Sequence, residues 1–130
     1  VLAVETEGAA SFSAALEAGS PVNLPAITSL ALTLGAKRVC DEVVELSREH
    51  DVRSVVVSDA AAVQACARFL DDHRVLVEPS CGAALSVAYD RHPEVLAAQG
   101  PIVMVVCGGA AVTRPELEAW LKQTGEASRR

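Results

Sequence analysis

Cys107-Gly108-Gly109 closes an apolar run, Ile102 to Val106 (IVMVV). In open α/β sheets ligands gather at the carboxyl ends of strands. Two glycines there let the main chain approach a flat ligand closely, or simply turn a strand into the next helix. A second cluster, Glu5-Thr6-Glu7-Gly8-Ala9-Ala10-Ser11, follows the apolar start Val1 to Val4. A carboxylate, hydroxyls and carbonyls within one turn could hold a hard cation through oxygen. The same residues also suit a helix start, where acids meet the positive end of the dipole. A third cluster, Glu78-Pro79-Ser80-Cys81-Gly82-Ala83-Ala84, stands behind the apolar Val75-Leu76-Val77. A carboxylate there is half-buried and needs a polar partner, or it serves a helix amino terminus.

Other chemistries find no support. His50, His73 and His92 sit among charges in EHDV, DDHR and DRHP. They read as exposed turn residues with no nucleophile or orienting acid beside them. Neither GxSxG nor GxxxxGK[ST] occurs. Cys40, Cys66, Cys81 and Cys107 form no CxxC pair, which argues against zinc, and their surroundings read as interior positions of a reduced protein. A net charge of −6 argues against nucleic acid, since the one basic cluster is Arg129-Arg130. No apolar run is long enough to span a membrane, and VLAVETEGAA lacks the basic start and apolar core of a secretory leader.

These clusters need elements to carry them. With 130 residues, 51% hydrophobic, the chain can bury one core. Val1 to Val4 reads as a strand, as though cut from the middle of a larger fold. Gly8 to Ala18 reads as a helix closed by Gly19. Pro21 and Pro25 mark a loop. Thr28 can cap a short helix to Leu34, ended by Gly35. A further helix is expected over Lys37 to Glu49, then a β-branched strand at Val52 to Val57. Ser58 or Asp59 caps a helix to about Asp72. Arg74 to Val77 is extended, Pro79 opens a small-residue helix, and His92-Pro93 breaks it. Ile102 to Val106 is expected as a buried strand. Thr113 caps the last helix, with Trp120 and Leu121 facing inward. Strands alternating with helices indicate an α/β fold with a parallel-type sheet flanked by helices.

Taken in order, ETEGAASF (Glu5 to Phe12), LPAITSLALTLGAK (Leu24 to Lys37), VEPSCGAAL (Val77 to Leu85) and VVCGG (Val105 to Gly109) resemble the carboxy-terminal half of the eukaryotic-type serine dehydratases. These are fold-type II pyridoxal-phosphate enzymes, tryptophan synthase β-like in architecture, and include threonine dehydratases. The resemblance covers nearly all of the chain. It implies that residues 1–130 are the carboxy-terminal portion of the catalytic fold. It implies pyridoxal phosphate as cofactor, with the Cys107 sulfur beside the pyridine nitrogen, Gly108 passing close to the ring and Gly35 as a further contact. A thiol is a weak donor and would leave that nitrogen largely unprotonated, which suits β-elimination. It also implies a monovalent cation, potassium, held by Glu5, Ala9 and Ser11 with the carbonyls of Leu34 and Ala36. The implied reaction turns L-serine into pyruvate and ammonia, or L-threonine into 2-oxobutyrate and ammonia.

The family's cofactor-bearing lysine lies in an SxK motif, and neither that motif nor the phosphate-gripping glycine loop occurs here. Lys37 and Lys122 are the only lysines. No catalytic residue is therefore assigned to this chain. It reads as a portion inactive alone, whose partner is a missing amino-terminal portion. The resemblance further implies a cytoplasmic homodimer when complete, acting on a small amino acid, with no nucleic acid or membrane partner. The alternative is a non-catalytic remnant that binds a partner subunit or an amino acid. A third reading is another fold-type II reaction, such as β-replacement or racemisation.

Overall fold

The β-branched run VRSVVV forms a strand because branched side chains pack well on a pleated surface. This strand, β2 (Arg53–Val57), pairs in parallel with β1 (Leu2–Thr6), with Val4 opposite Val55. A computed structural model describes residues 1–127, so Arg129 and Arg130 lie outside the described residues. Between the strands run α1 (Ser11–Ala18), a 3-10 turn (Leu32–Leu34) and α2 (Asp41–Glu49). After β2 come α3 (Asp59–His73), α4 (Pro79–Tyr89), the short α5 (Pro93–Leu96) and α6 (Arg114–Ala127). Among the described residues the sheet has these two strands, with helices packed around them. No described helix is long and apolar enough to cross a membrane.

Local chemistry sets most boundaries. Ser58 caps α3, its Oγ accepting the Ala61 N–H at 3.2 Å, and Pro79 opens α4 where its missing N–H costs nothing. Gly19 ends α1 in the left-handed conformation (φ 68°). At the start of α6, Glu116 Oε2 accepts the Thr113 N–H at 2.7 Å and its hydroxyl at 2.6 Å. The core lies where α3, α4 and α6 meet: Val63, Cys66, Val77, Cys81, Leu85 and Leu117 are buried together. Trp120 and Leu121 pack against that cluster, as the sequence indicates. Gly82 makes the α3–α4 contact close, since a Cβ there would lie 2.1 Å from the Ala62 carbonyl oxygen.

Several expectations are corrected. Ile102 to Val106 is neither a strand nor buried: Val103 is 90% exposed and Val105 73%. β-Branched content marks a segment able to pair, but no described strand lies beside it to supply a ladder. Of the helix expected from Thr28 to Leu34 only its end forms, the 3-10 turn Leu32–Leu34 closed by Gly35, while Ser29 and Leu30 are held instead by Asp59 of α3. The helix expected from Lys37 starts at Asp41, with Arg38 instead bonding the Pro21 carbonyl at 2.6 Å. The first helix starts at Ser11 rather than Gly8, whose φ of +81° is incompatible with a right-handed turn. Arg74, expected in an extended piece with Val77, instead ends α3 in the left-handed conformation (φ 60°), and Pro93 opens a short helix rather than merely ending one. Of the cysteines, Cys66 and Cys81 are buried but Cys40 and Cys107 are exposed. His50 and His73 are exposed, while His92 is half-buried and caps α5 through Nδ1.

Candidate functional site

The Cys107-Gly108-Gly109 turn rests on the amino terminus of α4. The Glu78 N–H donates to the Gly108 carbonyl at 3.1 Å. Gly109 lies so close to the preceding segment that a Cβ would stand 2.6 Å from the Leu76 oxygen and 2.7 Å from the Val77 Cα. Only glycine fits there. Gly108 differs: its φ is +115° and nothing stands within 4 Å of a Cβ position. That side of the turn is open, and the Cys107 thiol beside it is exposed. An exposed thiol on a glycine turn with free space is compatible with a flat ring laid against the main chain. Beneath the turn Cys81 is buried at the start of α4. That burial raises the pKa of its thiol.

Glu5 is buried at the end of β1 and caps α1. Its Oε1 accepts the Phe12 N–H and its Oε2 the Ser13 N–H, each at 2.8 Å. Ala9 and Ser11 are buried in the same helix start. The structure thus brings Glu5, Ala9 and Ser11 into one turn. The loop bearing Leu34, Gly35 and Ala36 is fastened to that turn through its beginning: Thr28 N–H donates to the Gly8 carbonyl at 3.0 Å. Thr6 Oγ1 bonds Ser29 Oγ at 2.7 Å, Ser29 donates to Asp59 Oδ1 at 2.5 Å, and the Leu30 N–H reaches Asp59 Oδ2 at 2.9 Å. Because Ser29 gives its single proton to Asp59, Thr6 must donate to Ser29. Further along, the Leu34 carbonyl accepts the Ala36 N–H at 2.8 Å, and Ala36 is exposed. A Cβ at Gly35 would stand 2.6 Å from the Leu32 oxygen. Among the described residues no group of three or more His, Cys, Asp or Glu could hold a metal.

Thr33 joins the two regions. Its Oγ1 donates to Glu78 Oε1 at 2.9 Å and also bonds Ser80 Oγ. The loop of Gly35 and the turn of Cys107 therefore attach to the same end of α4. A cavity of about 170 Å³ opens between them, lined by Leu30, Thr33, Glu78, Ser80, Ala111 and Trp120 among others. Glu78 is half-buried with a partner, as its place behind VLV indicates. Sequence reasoning missed Thr33 and Asp59 as parts of the site. Only hydroxyl and carboxylate content marked them, and that signal is shared with ordinary loops.

A parallel strand pair feeding helices here carries a cysteine–glycine turn on a helix amino terminus. Residues 1–108 match the pyridoxal-phosphate dependent enzyme family, and the chain belongs to it. Mouse serine dehydratase-like protein is 46% identical over 132 residues, covering 96% of this chain and 40% of its own length. Human L-serine dehydratase/L-threonine deaminase is 43% identical over 136 residues, covering 99% of this chain and 42% of its own length. The chain thus spans well under half of the curated relatives it matches. Among solved structures, a fungal L-serine ammonia-lyase from Rhizomucor miehei superposes with TM-score 0.88 at 36% identity, covering 95% of this chain and 40% of that one. Maize serine racemase gives TM-score 0.74 at 26% identity, with 95% and 39% covered. The fold class read from the sequence, a fold-type II α/β architecture, agrees with these neighbours.

Proposed function

We propose that residues 1–130 are the carboxy-terminal portion of a pyridoxal-phosphate-dependent dehydratase. In this proposal the complete enzyme converts L-serine to pyruvate and ammonia, and L-threonine to 2-oxobutyrate and ammonia. The observation that carries it is the exposed Cys107 thiol on an open glycine turn, in a chain 46% identical to a serine dehydratase-like protein. When bound, the cofactor supplies the electron sink that accepts charge from the substrate α-carbon.

This chain's residues hold and orient. Cys107 would offer the ring nitrogen a weak donor and would leave it largely unprotonated, an environment that would suit β-elimination. Gly108 and Gly35 give the main chain its close approach. Glu5, Ala9 and Ser11, with the carbonyls of Leu34 and Ala36, hold potassium and keep the α1 start and the Gly35 loop in register. The α-proton is moved by a lysine outside this chain. Lys37 contributes instead to loop structure, its Nζ lying 3.4 Å from the Pro25 carbonyl. The complete enzyme is a cytoplasmic homodimer on the same proposal.

The test combines this chain with a polypeptide bearing the SxK lysine and the glycine-rich loop. Pyruvate formation from serine, with visible cofactor absorbance and a faster rate in potassium than in sodium, is expected. Cys107→Ala should lower turnover while the fold persists. Cofactor absorbance without any pyruvate overturns the dehydratase assignment, and equal rates in the two salts overturn the cation set. The two lysines, neither in an SxK context, also favour a second reading: a non-catalytic chain that binds an amino acid or a partner subunit. Serine binding with no turnover in the combined protein would select it.

A further inference from the structure

We propose that Asp59 is a positioning residue for the candidate site: acting through the Ser29 hydroxyl, it sets the conformation of the loop that carries Thr33 and Gly35 to the amino terminus of α4. Asp59 is the first residue of α3 and is half-buried. Its own helix does not occupy it, because the Ser58 hydroxyl already caps α3 by accepting the Ala61 N–H. Both carboxylate oxygens turn to the loop instead. Oδ1 takes the Ser29 hydroxyl proton at 2.5 Å, and Oδ2 takes the Leu30 N–H at 2.9 Å. No ion pair among the described residues competes for that carboxylate. Bonds to a charged acceptor are roughly twice as strong as neutral ones, so two on successive residues make a firm clamp.

The clamp is passed along the loop. Ser29 is 4% exposed, and its oxygen also accepts the Ala31 N–H at 2.9 Å. The Ala31 carbonyl then accepts the Leu34 N–H at 3.0 Å, and the Leu32 carbonyl the Gly35 N–H at 2.9 Å. Thr33, inside that turn, reaches Glu78 Oε1. A connected set of hydrogen bonds thus runs from α3 to the start of α4. On its other side Ser29 accepts from Thr6, a fully buried residue next to Glu5. The order Thr6 to Ser29 to Asp59 holds only while Asp59 accepts, since each hydroxyl has one proton. An asparagine at this position offers one acceptor oxygen to two donors. If its NH2 meets Leu30, two donors face each other. If it meets Ser29, the Ser29 proton turns to Thr6, and the Thr6 proton loses the acceptor that the described residues give it. Either way a donor of the network is left without a partner, and the loop is released.

The clamp rests on these hydrogen bonds alone, while its importance for turnover rests on the proposed function. Amide hydrogen exchange in this chain tests the clamp. Asp59→Asn should speed exchange at Leu30, Ala31 and Leu34 by about tenfold. The Phe12 and Leu117 amides, held by Glu5 and by the Thr113 carbonyl, should keep their rates. Ser29→Ala should release Ala31 and Leu34 but leave Leu30 protected by Asp59, and it decides the matter if Asp59→Asn fails to fold. Equal acceleration at all these amides means a general loss of stability and overturns the proposal. A Ser29→Ala protein that frees Leu30 as much as Ala31, or leaves Ala31 slow, overturns it too. The second readout is the complete protein turning serine into pyruvate. There Asp59→Asn and Ser29→Ala should each lower kcat/KM severalfold, and the double variant should be no worse than Asp59→Asn alone, because both break one path. Losses that multiply, or full activity in Asp59→Asn, overturn the positioning role. A parent protein that makes no pyruvate refutes the proposed function and leaves the exchange rates to decide the clamp.

Discussion

Replacing Gly82 with alanine should destabilise the protein by driving α3 and α4 apart. The added Cβ would lie 2.1 Å from the Ala62 oxygen, 2.5 Å from the Cys66 sulfur and 2.9 Å from the Ala62 carbonyl carbon. An ordinary non-bonded contact needs about 3.5 Å. Two of the three obstacles are main-chain atoms of α3, which cannot rotate away, so α4 must retreat by roughly 1 Å along its whole contact. A gap of that order forfeits about a quarter to a half of each lost dispersion contact, and overpacking of this kind costs up to about 3 kcal/mol. Alanine returns about 1 kcal/mol through its better helix propensity. The net loss is about 2 kcal/mol. Unfolding entropy of about 2.1 cal/mol/K per residue gives about 0.27 kcal/mol/K for this chain, so the melting temperature should fall by roughly 7 °C. Gly125 in α6 is the internal control, because nothing stands within 4 Å of its Cβ position. Gly125→Ala should raise the midpoint by up to about 4 °C on the same arithmetic. Thermal unfolding followed by circular dichroism reads both. A Gly82→Ala midpoint at or above the parent's refutes the packing argument, and a matching loss in Gly125→Ala would show that glycine itself, not its setting, is responsible.

Glu5→Ala removes the acceptors of two α1 N–H groups; hydrogen bonds to a charged acceptor predict a loss of about 2 kcal/mol in urea unfolding and faster exchange of the Phe12 and Ser13 amides. Unchanged exchange at those two amides would sink the capping role. Iodoacetamide on the folded protein should label Cys40 and Cys107, and reach Cys66 and Cys81 only after denaturant is added; mapping by mass spectrometry checks this. Glu116 has its pKa lowered by the bonds from the Thr113 side chain and N–H. A depressed carboxyl favours the fold above its ordinary value of about 4.3, and that contribution disappears as pH falls through the lowered value. The α6 start should therefore loosen in acid, and Glu116→Gln should flatten the dependence of the melting temperature on pH between about 5 and 3. An unaltered acid slope would refute it.

Elements whose cause is local were legible in the sequence. β2 follows from its own valines, α3 from Ser58, α4 from Pro79 and α6 from Thr113 with Glu116. Segments decided by distant partners were not. Thr28 to Leu34 carries helix-compatible residues, yet Ser29 finds Asp59 thirty positions away, and nothing near Ser29 announces it. The IVMVV run states its preference for extended structure but not what it would pair with. For the site, the motifs located the Glu5 turn, the Glu78 helix start and the glycine turn. They did not show that Thr33 ties the Gly35 loop to the Glu78 helix start. Cys81 and Cys107 looked alike, each flanked by small and apolar residues; the fold leaves one sealed and one open.

The bare IVMVV segment has a practical side. From Ile102 to Val106 it presents no charge, and among the described residues its main-chain N–H and carbonyl groups enter no ladder. Such a strip is a template for strand addition by any neighbouring molecule with the same strip. In concentrated solution copies of this polypeptide are set to stick to one another there, so turbidity should climb with concentration, and Val103→Lys together with Val105→Lys should clear it. What limits handling of the protein is then its colloidal behaviour at five residues rather than the strength of its core.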